Sequence, residues 1–175
     1  GEGGILLKRL SSIGLLALLL VWLCAATQAK AAFEVHFLDV GQADAAIVIC
    51  DNQAMLIDGG SASDSRLIYA YLTKTLGLTH LDAIIATHPH ADHIGGLPAA
   101  LNACTVDALY SPVATDTSDG FSSVVDYAAQ QGLSITVPQA GDHFSLGTAT
   151  VRFLSPLRGY SNANNLSIVV KITYG

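Results

Sequence analysis

Three histidines and an aspartate lie within six residues of the sequence, at His88, His90, Asp92 and His93. Imidazole binds zinc and other first-row divalent ions, and a carboxylate balances part of their charge. Pro89 keeps the backbone extended, so that His88 and His90 can face one ion while Asp92 and His93 face a second. Two ions would polarise a carbonyl or phosphoryl oxygen and hold a hydroxide as the nucleophile. The spacing therefore predicts a hydrolytic site for two divalent ions, with zinc expected and manganese as the alternative.

Two other interpretations of these residues are a polar loop with incidental histidines and a single structural metal site. Structural zinc sites normally use four closed ligands that are rich in cysteine. The sequence has three cysteines and none of them is spaced for a zinc site. The catalytic interpretation is therefore favoured.

The elements around this motif place it at the end of a buried strand. Residues 83–86 are a short apolar run, and Gly95-Gly96 provides a bend that leads into a helix over residues 96–103. Earlier in the chain, apolar runs at 33–40, 45–50 and 54–57 predict strands, the last two forming a hairpin. A mixture of hairpins and strand–helix units predicts sheets covered by helices on their outer faces.

The combined motifs resemble the metallo-β-lactamase superfamily, whose signature is His-x-His-x-Asp-His. The flanking segments resemble a branch of it, the hydrolase domain of the ComEC competence protein and its stand-alone relatives. The segments that carry this resemblance are Phe37–Ala45, Leu56–Gly60, Thr87–Gly96 and Asn164–Ser167. The resemblance extends from about residue 33 to the last residue.

The resemblance implies an αββα sandwich of the α/β class, with the metals at one edge, and hydrolysis through a metal-bound hydroxide. It implies that Asp58 supports the metal loop without ligating the metal, and Asp58 and Asp92 are the candidate catalytic carboxylates. Asn164, Asn165 and Ser167 are the candidate substrate-binding residues. In β-lactamase and glyoxalase relatives the loop that contains them supplies a further metal-binding histidine, whereas residues 156–175 of this sequence contain no histidine.

Relatives of this branch continue the last strand into a Thr-Gly-Asp motif and a later paired-histidine loop, both of which supply metal ligands. Because the sequence ends before these motifs, we expect a partial domain, truncated at its C-terminus, that binds metal weakly and turns over little substrate. We also expect the last strand to present an unpaired apolar edge.

The N-terminal residues 1–31 are predicted to be an export signal, with Lys8 and Arg9 followed by the apolar run 10–26 and small residues. An uncleaved membrane anchor formed by the same run is the alternative. Residues 32–175 are then the hydrolase domain, exported to the periplasm or the extracellular space. Membrane contact is expected only through the N-terminal segment.

The charge of the predicted domain limits its partners. Residues 32–175 carry five Lys or Arg and thirteen Asp or Glu, a net charge of −8. This balance lacks the basic surface by which proteins bind extended nucleic acids. The expected function is hydrolysis of phosphodiesters, including DNA outside the cytoplasm, or of another small substrate. The alternatives are hydrolysis of β-lactams or other esters and amides, and a truncated protein that binds metal without turnover.

The remaining polar candidates are assigned structural roles. Asp39 and Asp44 flank a glycine turn, and three histidines have no ligand spacing, namely His36, His80 and His143. Once the signal is set aside, Cys50 and Cys104 are expected to be small buried side chains.

Overall fold

The computed structural model describes residues 33–156, 162 and 164–175. The predicted signal or anchor therefore lies outside the described residues. The strands, in chain order, are β1 (Phe33–Phe37), β2 (Ala46–Cys50), β3 (Gln53–Ile57), β4 (His80–Leu81), β5 (Ala83–Ile85), β6 (Thr105–Val106), β7 (Leu109–Tyr110), β8 (Ile135–Thr136), β9 (His143–Leu146), β10 (Ala149–Ser155) and β11 (Val169–Thr173).

The strands form a larger and a smaller sheet, with β4 and β6 pairing separately. The larger sheet has the order β1-β2-β3-β5-β7-β8, and the smaller has the order β11-β10-β9. β1, β2 and β3 pair antiparallel with one another, whereas β3, β5, β7 and β8 run parallel. Because parallel strands end at the same edge, the loops that follow β3, β5 and β7 gather there.

The helices are short and lie mainly between the parallel strands. They are α1 (Ser65–Ala70), α2 (Ala91–Ile94), α3 (Leu97–Ala103) and α4 (Asp119–Gln130). A 3₁₀ turn (Ala62–Asp64) precedes α1, and a π-helical turn (Tyr71–Thr75) follows it. A second 3₁₀ turn spans Asn164–Leu166. Among the helices of the described residues, none combines the length and the apolar character needed to cross a bilayer.

The central strands of the larger sheet are buried on both faces, as the alternation along β2 shows. Ile47 and Ile49 pack in the core beneath the helices, whereas Val48 and Cys50 pack in the core between the two sheets. The larger sheet thus has helices on one face and the smaller sheet on the other, which are three layers of the predicted αββα sandwich. Cys50 and Cys104 are buried free thiols, as predicted.

Residues 105–110 form two short strands with different partners. β6 pairs with β4, while β7 joins the larger sheet. The backbone between them changes partner, since Asp107 donates its N–H to the carbonyl of Leu81 and Ala108 accepts from Ile84. The motif loop, expected to lack helix before Gly96, contains the helical turn α2.

Candidate metal centre

The predicted metal-binding loop begins where β5 ends. Thr87 to His90 form an irregular turn, and Asp92 and His93 lie in α2. Asp58 follows β3, the strand beside β5, and donates its N–H to the carbonyl of Ile85 at 2.9 Å. The topology therefore brings Asp58 and the histidine loop to the same edge of the sheet.

Glycines allow these two loops to approach each other at backbone distance. Gly59 donates its N–H to the carbonyl of His93 at 2.7 Å, and Gly96 donates to the carbonyl of Gly60 at 3.3 Å. A Cβ atom on Gly96 would collide with the carbonyl oxygen of Gly59, which is a backbone atom and cannot move aside cheaply. The Gly95-Gly96 pair is thus required by loop packing as well as by the bend that it provides.

Replacing Gly96 with alanine is expected to destabilise the fold by about 1–3 kcal/mol or more, the usual cost of overpacking. The matched control is Gly120→Ala in α4, where the nearest atom to an added Cβ is the Ile94 Cδ1 at 3.6 Å. This control should be neutral or slightly stabilising, because alanine is the better helix former. Urea denaturation of both variants measures the difference, and equal stabilities would contradict the described loop packing.

The three imidazole rings of the motif lie against one another. The ring centroids of His88 and His93 are 3.8 Å apart, and those of His88 and His90 are 4.7 Å apart. His88 is buried, His93 is partly buried and His90 is exposed. The sequence prediction that these rings share one side of the sheet is consistent with this cluster.

Asp58 is a buried carboxylate that holds the loop in place. Its Oδ1 accepts the N–H of Thr87 at 2.7 Å, and its Oδ2 accepts the hydroxyl of Thr87 at 2.6 Å and faces the Nδ1 of His93 at 2.8 Å. Its backbone has a φ of 56°, a left-handed conformation that is uncommon outside glycine and is found at functional sites. These contacts are those expected of a residue that fixes the orientation of a metal-binding histidine.

The pKa values of two of the histidines are shifted in opposite directions. The hydrogen bond to Asp58 raises the pKa of His93. Burial, followed by the nearby charges of His93 and His90, lowers the pKa of His88. His88 is therefore held in the neutral form in which imidazole binds metals.

The outward nitrogen of His93 faces carboxylates. Its Nε2 lies 3.8 Å from Asp92 Oδ2 and 3.7 Å from Asp44 Oδ2. Three clustered imidazoles and adjacent carboxylates are a donor set that suits a divalent first-row ion. The residues present therefore fit the predicted metals in their chemistry.

The predicted substrate-binding loop is brought only partly to this site. Ser167 lines the same cavity as His88 and His93, and Ile168 donates its N–H to the carbonyl of Thr87 at 2.8 Å. Asn164 and Asn165 are exposed on a 3₁₀ turn and are not among the residues that line the cavity.

The cavity itself has a volume of about 440 Å³ and contains residues that the sequence interpretation did not assign to the site. These residues are Thr87, Asp44 and Phe37. Thr87 could have been suspected from its position directly between a buried strand and a histidine. The sequence around Asp44 did not indicate a site residue, because the neighbouring glycine turn already explains an aspartate at this position.

Another group of possible metal donors lies at the opposite ends of the parallel strands. One donor atom from each of His80, Asp82 and Asp107 lies within 4.8 Å of the others, and among the described residues this is the one group of three or more such donors with that spacing. His88, His90, Asp92 and His93 lie near one another, but no three of their donor atoms converge this closely. His80 and Asp107 form an exposed ion pair at 3.3 Å, and His80 also hydrogen-bonds Thr105 at 2.9 Å. His80 is thus a surface histidine with protein partners, as predicted, and it provides a control position for metal-binding experiments.

Sequence comparison identifies relatives of the chain. The model of the metallo-beta-lactamase superfamily matches residues 38–160. ComE operon protein 3 of Bacillus subtilis is 28% identical over 177 aligned residues, which cover 90% of this chain and 22% of that protein. Ribonuclease Z of Salinispora arenicola is 36% identical over 64 residues, which cover 37% of this chain and 19% of that protein. The chain therefore spans about a fifth of the length of these relatives.

Solved structures share the fold. A mutant of the flavo di-iron protein from Thermotoga maritima superposes with a TM-score of 0.54 and 20% identity, over 74% of this chain and 30% of that one. The metallo-beta-lactamase SMB-1, bound to 2-mercaptoethanesulfonate, superposes with a TM-score of 0.51 and 19% identity, over 68% of this chain and 49% of that one. The family match covers more than half of the sequence and includes Asp58 and the segment from His88 to His93. The chain belongs to the metallo-beta-lactamase superfamily and, as its motifs predict, is similar to ComE operon protein 3.

Proposed function

We propose that this chain is a metal-dependent hydrolase of phosphodiesters. The observation that carries the proposal is the cluster of three imidazoles, with Asp92 beside His93; His88 and His93 of this cluster also line a cavity. His88 and His90 would hold one divalent ion, and Asp92 and His93 a second. The chemistry that such ions supply is Lewis-acid polarisation of the phosphoryl oxygen.

The side chains of the protein position this centre. Asp58 fixes the ring of His93 through Nδ1, and Nε2 faces Asp44 and Asp92. Thr87 ties the start of the loop to Asp58 and, through its carbonyl, to the segment that contains Ser167. Ser167, which lines the cavity together with His88, is the proposed substrate contact.

Two observations favour phosphodiesters over lactams. A relative that is 36% identical over 64 residues is named a ribonuclease, and the segment 156–175 lacks the histidine that the β-lactamase resemblance would require. The net charge of −8 over residues 32–175 favours short or single phosphodiesters rather than extended nucleic acid. The apolar run 10–26 supports an exported protein that acts outside the cytoplasm, with DNA among its substrates.

The test compares two substrates with the full chain loaded with zinc or with manganese. Cleavage of bis-p-nitrophenyl phosphate should exceed hydrolysis of nitrocefin, and EDTA should abolish it. The ratio between the two rates, rather than either absolute rate, decides between the substrates.

The other outcomes contradict the proposal in different ways. Nitrocefin hydrolysis without phosphodiester cleavage would support the β-lactamase alternative. Metal binding without turnover of either substrate would support the non-catalytic alternative and overturn the assignment as an enzyme.

A further inference from the structure

Three metal-binding side chains meet at the end of the small β4–β6 ladder, at the opposite ends of the strands from the histidine loop. His80 lies in β4, and Asp82 follows that strand directly. Asp107 follows β6 and donates its N–H to the carbonyl of Leu81 at 3.1 Å, which continues the parallel pairing and places Asp107 next to Asp82. The fold thus brings two separate segments together, and the three donor atoms lie within 4.8 Å of one another.

The carboxylate of Asp82 is anchored by the strand beside it. Its Oδ1 accepts the side-chain amide of Gln53 at 2.7 Å, and its Oδ2 accepts the N–H of Ala54 at 2.8 Å. An ionised carboxylate has about four lone-pair sites, so these two hydrogen bonds leave acceptor sites for a metal ion. Carboxylates that ligate metals are normally held by hydrogen bonds of this kind.

The ring of His80 is oriented by a neighbouring hydroxyl. Thr105 donates its hydroxyl proton to the carbonyl of Thr79 at 3.3 Å, and its Oγ1 lies 2.9 Å from the Nδ1 of His80. Because that proton is already used, Oγ1 accepts the Nδ1–H of His80. The nitrogen that remains for a metal is Nε2, which lies 3.3 Å from the Oδ2 of Asp107. Histidines that ligate metals typically have their other ring nitrogen held in this way.

The charge and the exposure of this group suit a divalent ion taken up from solution. Neither carboxylate has a Lys or Arg partner, because the cationic group of every ion pair among the described residues is a histidine. Ligand atoms in a tetrahedral zinc site are about 3.4 Å apart, so the donors need to approach one another by roughly an ångström. The side chains of His80 and Asp107 are 44% and 69% exposed, which leaves them room for this movement.

We propose that His80, Asp82 and Asp107 form a zinc site that is separate from the histidine loop. One imidazole nitrogen and two carboxylate oxygens are ligands that zinc accepts, and water completes a tetrahedral coordination. The ion ties the segment before β5 to the segment before β7. Its expected effect is therefore on stability and not on catalysis, because a ligand that binds only the folded chain stabilises it. This inference does not depend on the proposed hydrolytic function.

The experiment measures zinc binding to the full chain by competition with a chromophoric chelator. Asp107→Ala removes one donor, and the matched control Asp126→Ala removes the same charge from the exposed face of α4. A chain in which His88 and His90 are both alanine isolates the binding that does not involve the histidine loop. In that chain Asp107→Ala should raise the Kd for zinc by at least about 10-fold, since loss of a residue that only supports a ligand already costs about 10–100-fold. Asp126→Ala should leave the Kd unchanged.

The unfolding temperature provides a second readout. Zinc should raise the Tm of the chain without His88 and His90, and this rise should disappear when Asp107→Ala is added. Unfolding in EDTA checks that each variant folds, which is expected for Asp107→Ala because its side chain is exposed. If Asp107→Ala does not fold, His80→Ala removes the nitrogen donor instead and must weaken zinc binding as strongly. If the chain without His88 and His90 does not fold, Asp107→Ala in the parent must hold less zinc than Asp126→Ala.

The outcomes distinguish this site from the proposed metal centre. Absence of zinc binding by the chain without His88 and His90 would overturn the site at His80, whether or not the parent binds zinc. Equal zinc affinity in Asp107→Ala and Asp126→Ala would also overturn it. If replacing His88 and His90 leaves zinc binding unchanged and Asp107→Ala removes it, this site is supported and the proposed centre at the histidine loop fails.

Discussion

Replacing His88 and His90 together with alanine is expected to lower metal-dependent phosphodiester cleavage by at least about 100-fold, since loss of a supporting residue alone typically costs about 10–100-fold. Both rings belong to the imidazole cluster, and burial lowers the pKa of His88, so that a neutral nitrogen is available as a donor. The metal content of the variant should fall in parallel with its rate. Initial rates with bis-p-nitrophenyl phosphate and metal analysis after dialysis measure both effects.

The matched control for this double variant is His80→Ala. It removes a histidine from the other donor group, which lies at the opposite ends of the strands. The control should retain the parent's catalytic rate even if it loses a weakly bound ion. A larger loss of rate in His80→Ala than in the double variant would contradict the proposed centre, because the catalytic metal would then lie at the His80 group and not at the histidine loop.

Replacing Asp58 with alanine is expected to reduce both stability and metal affinity. The variant would leave the N–H and hydroxyl of Thr87 and the Nδ1 of His93 without their acceptor in a buried setting. Removal of a buried partner costs about 1–3 kcal/mol per hydrogen-bonded group and more where charge is involved, so we expect a loss of roughly 2–4 kcal/mol. Metal affinity should fall by about 10–100-fold, because the ring of His93 loses its fixed orientation.

Asp82→Ala distinguishes the effect on stability from the effect on the metal. Asp82 accepts hydrogen bonds from Gln53 at 2.7 Å and from the N–H of Ala54 at 2.8 Å, at the end of the strands away from the candidate site. This variant should lose stability but keep its catalytic-site metal. Urea denaturation in EDTA and zinc titration of both variants provide the comparison. Unchanged zinc affinity in Asp58→Ala would show that Asp58 is a structural turn residue and nothing more.

The sequence predicts those site residues that carry metal-binding side chains and lie close together in the chain. The short spacing from His88 to His93 and the preceding apolar strand predict a cluster at a strand end, and the rings do cluster there. Asp44 could not be assigned in this way, because its position depends on a loop from another strand that bonds to Asp92 and Gly60. Such contacts between distant segments follow from tertiary packing and leave no local pattern.

The same difference applies to the fold: local sequence predicts strands, but it does not predict which strands pair. The apolar run 45–50 predicts a strand, and β2 forms there, with alternate side chains in the two cores. Residues 105–110 form two strands because the segments on either side of Asp107 pair with different strands, and the local sequence does not show these partners. Strand partners, like the contacts of Asp44, are decided by segments that are far away in the sequence.

The most direct test of the metal centre is the location of bound zinc by anomalous X-ray scattering in crystals of the zinc-loaded protein. We predict an anomalous peak at about 2.0–2.2 Å, the coordination distance of zinc, from donor atoms of the His88, His90, Asp92 and His93 group. Peaks confined to His80, Asp82 and Asp107, with none at the histidine loop, would contradict the account.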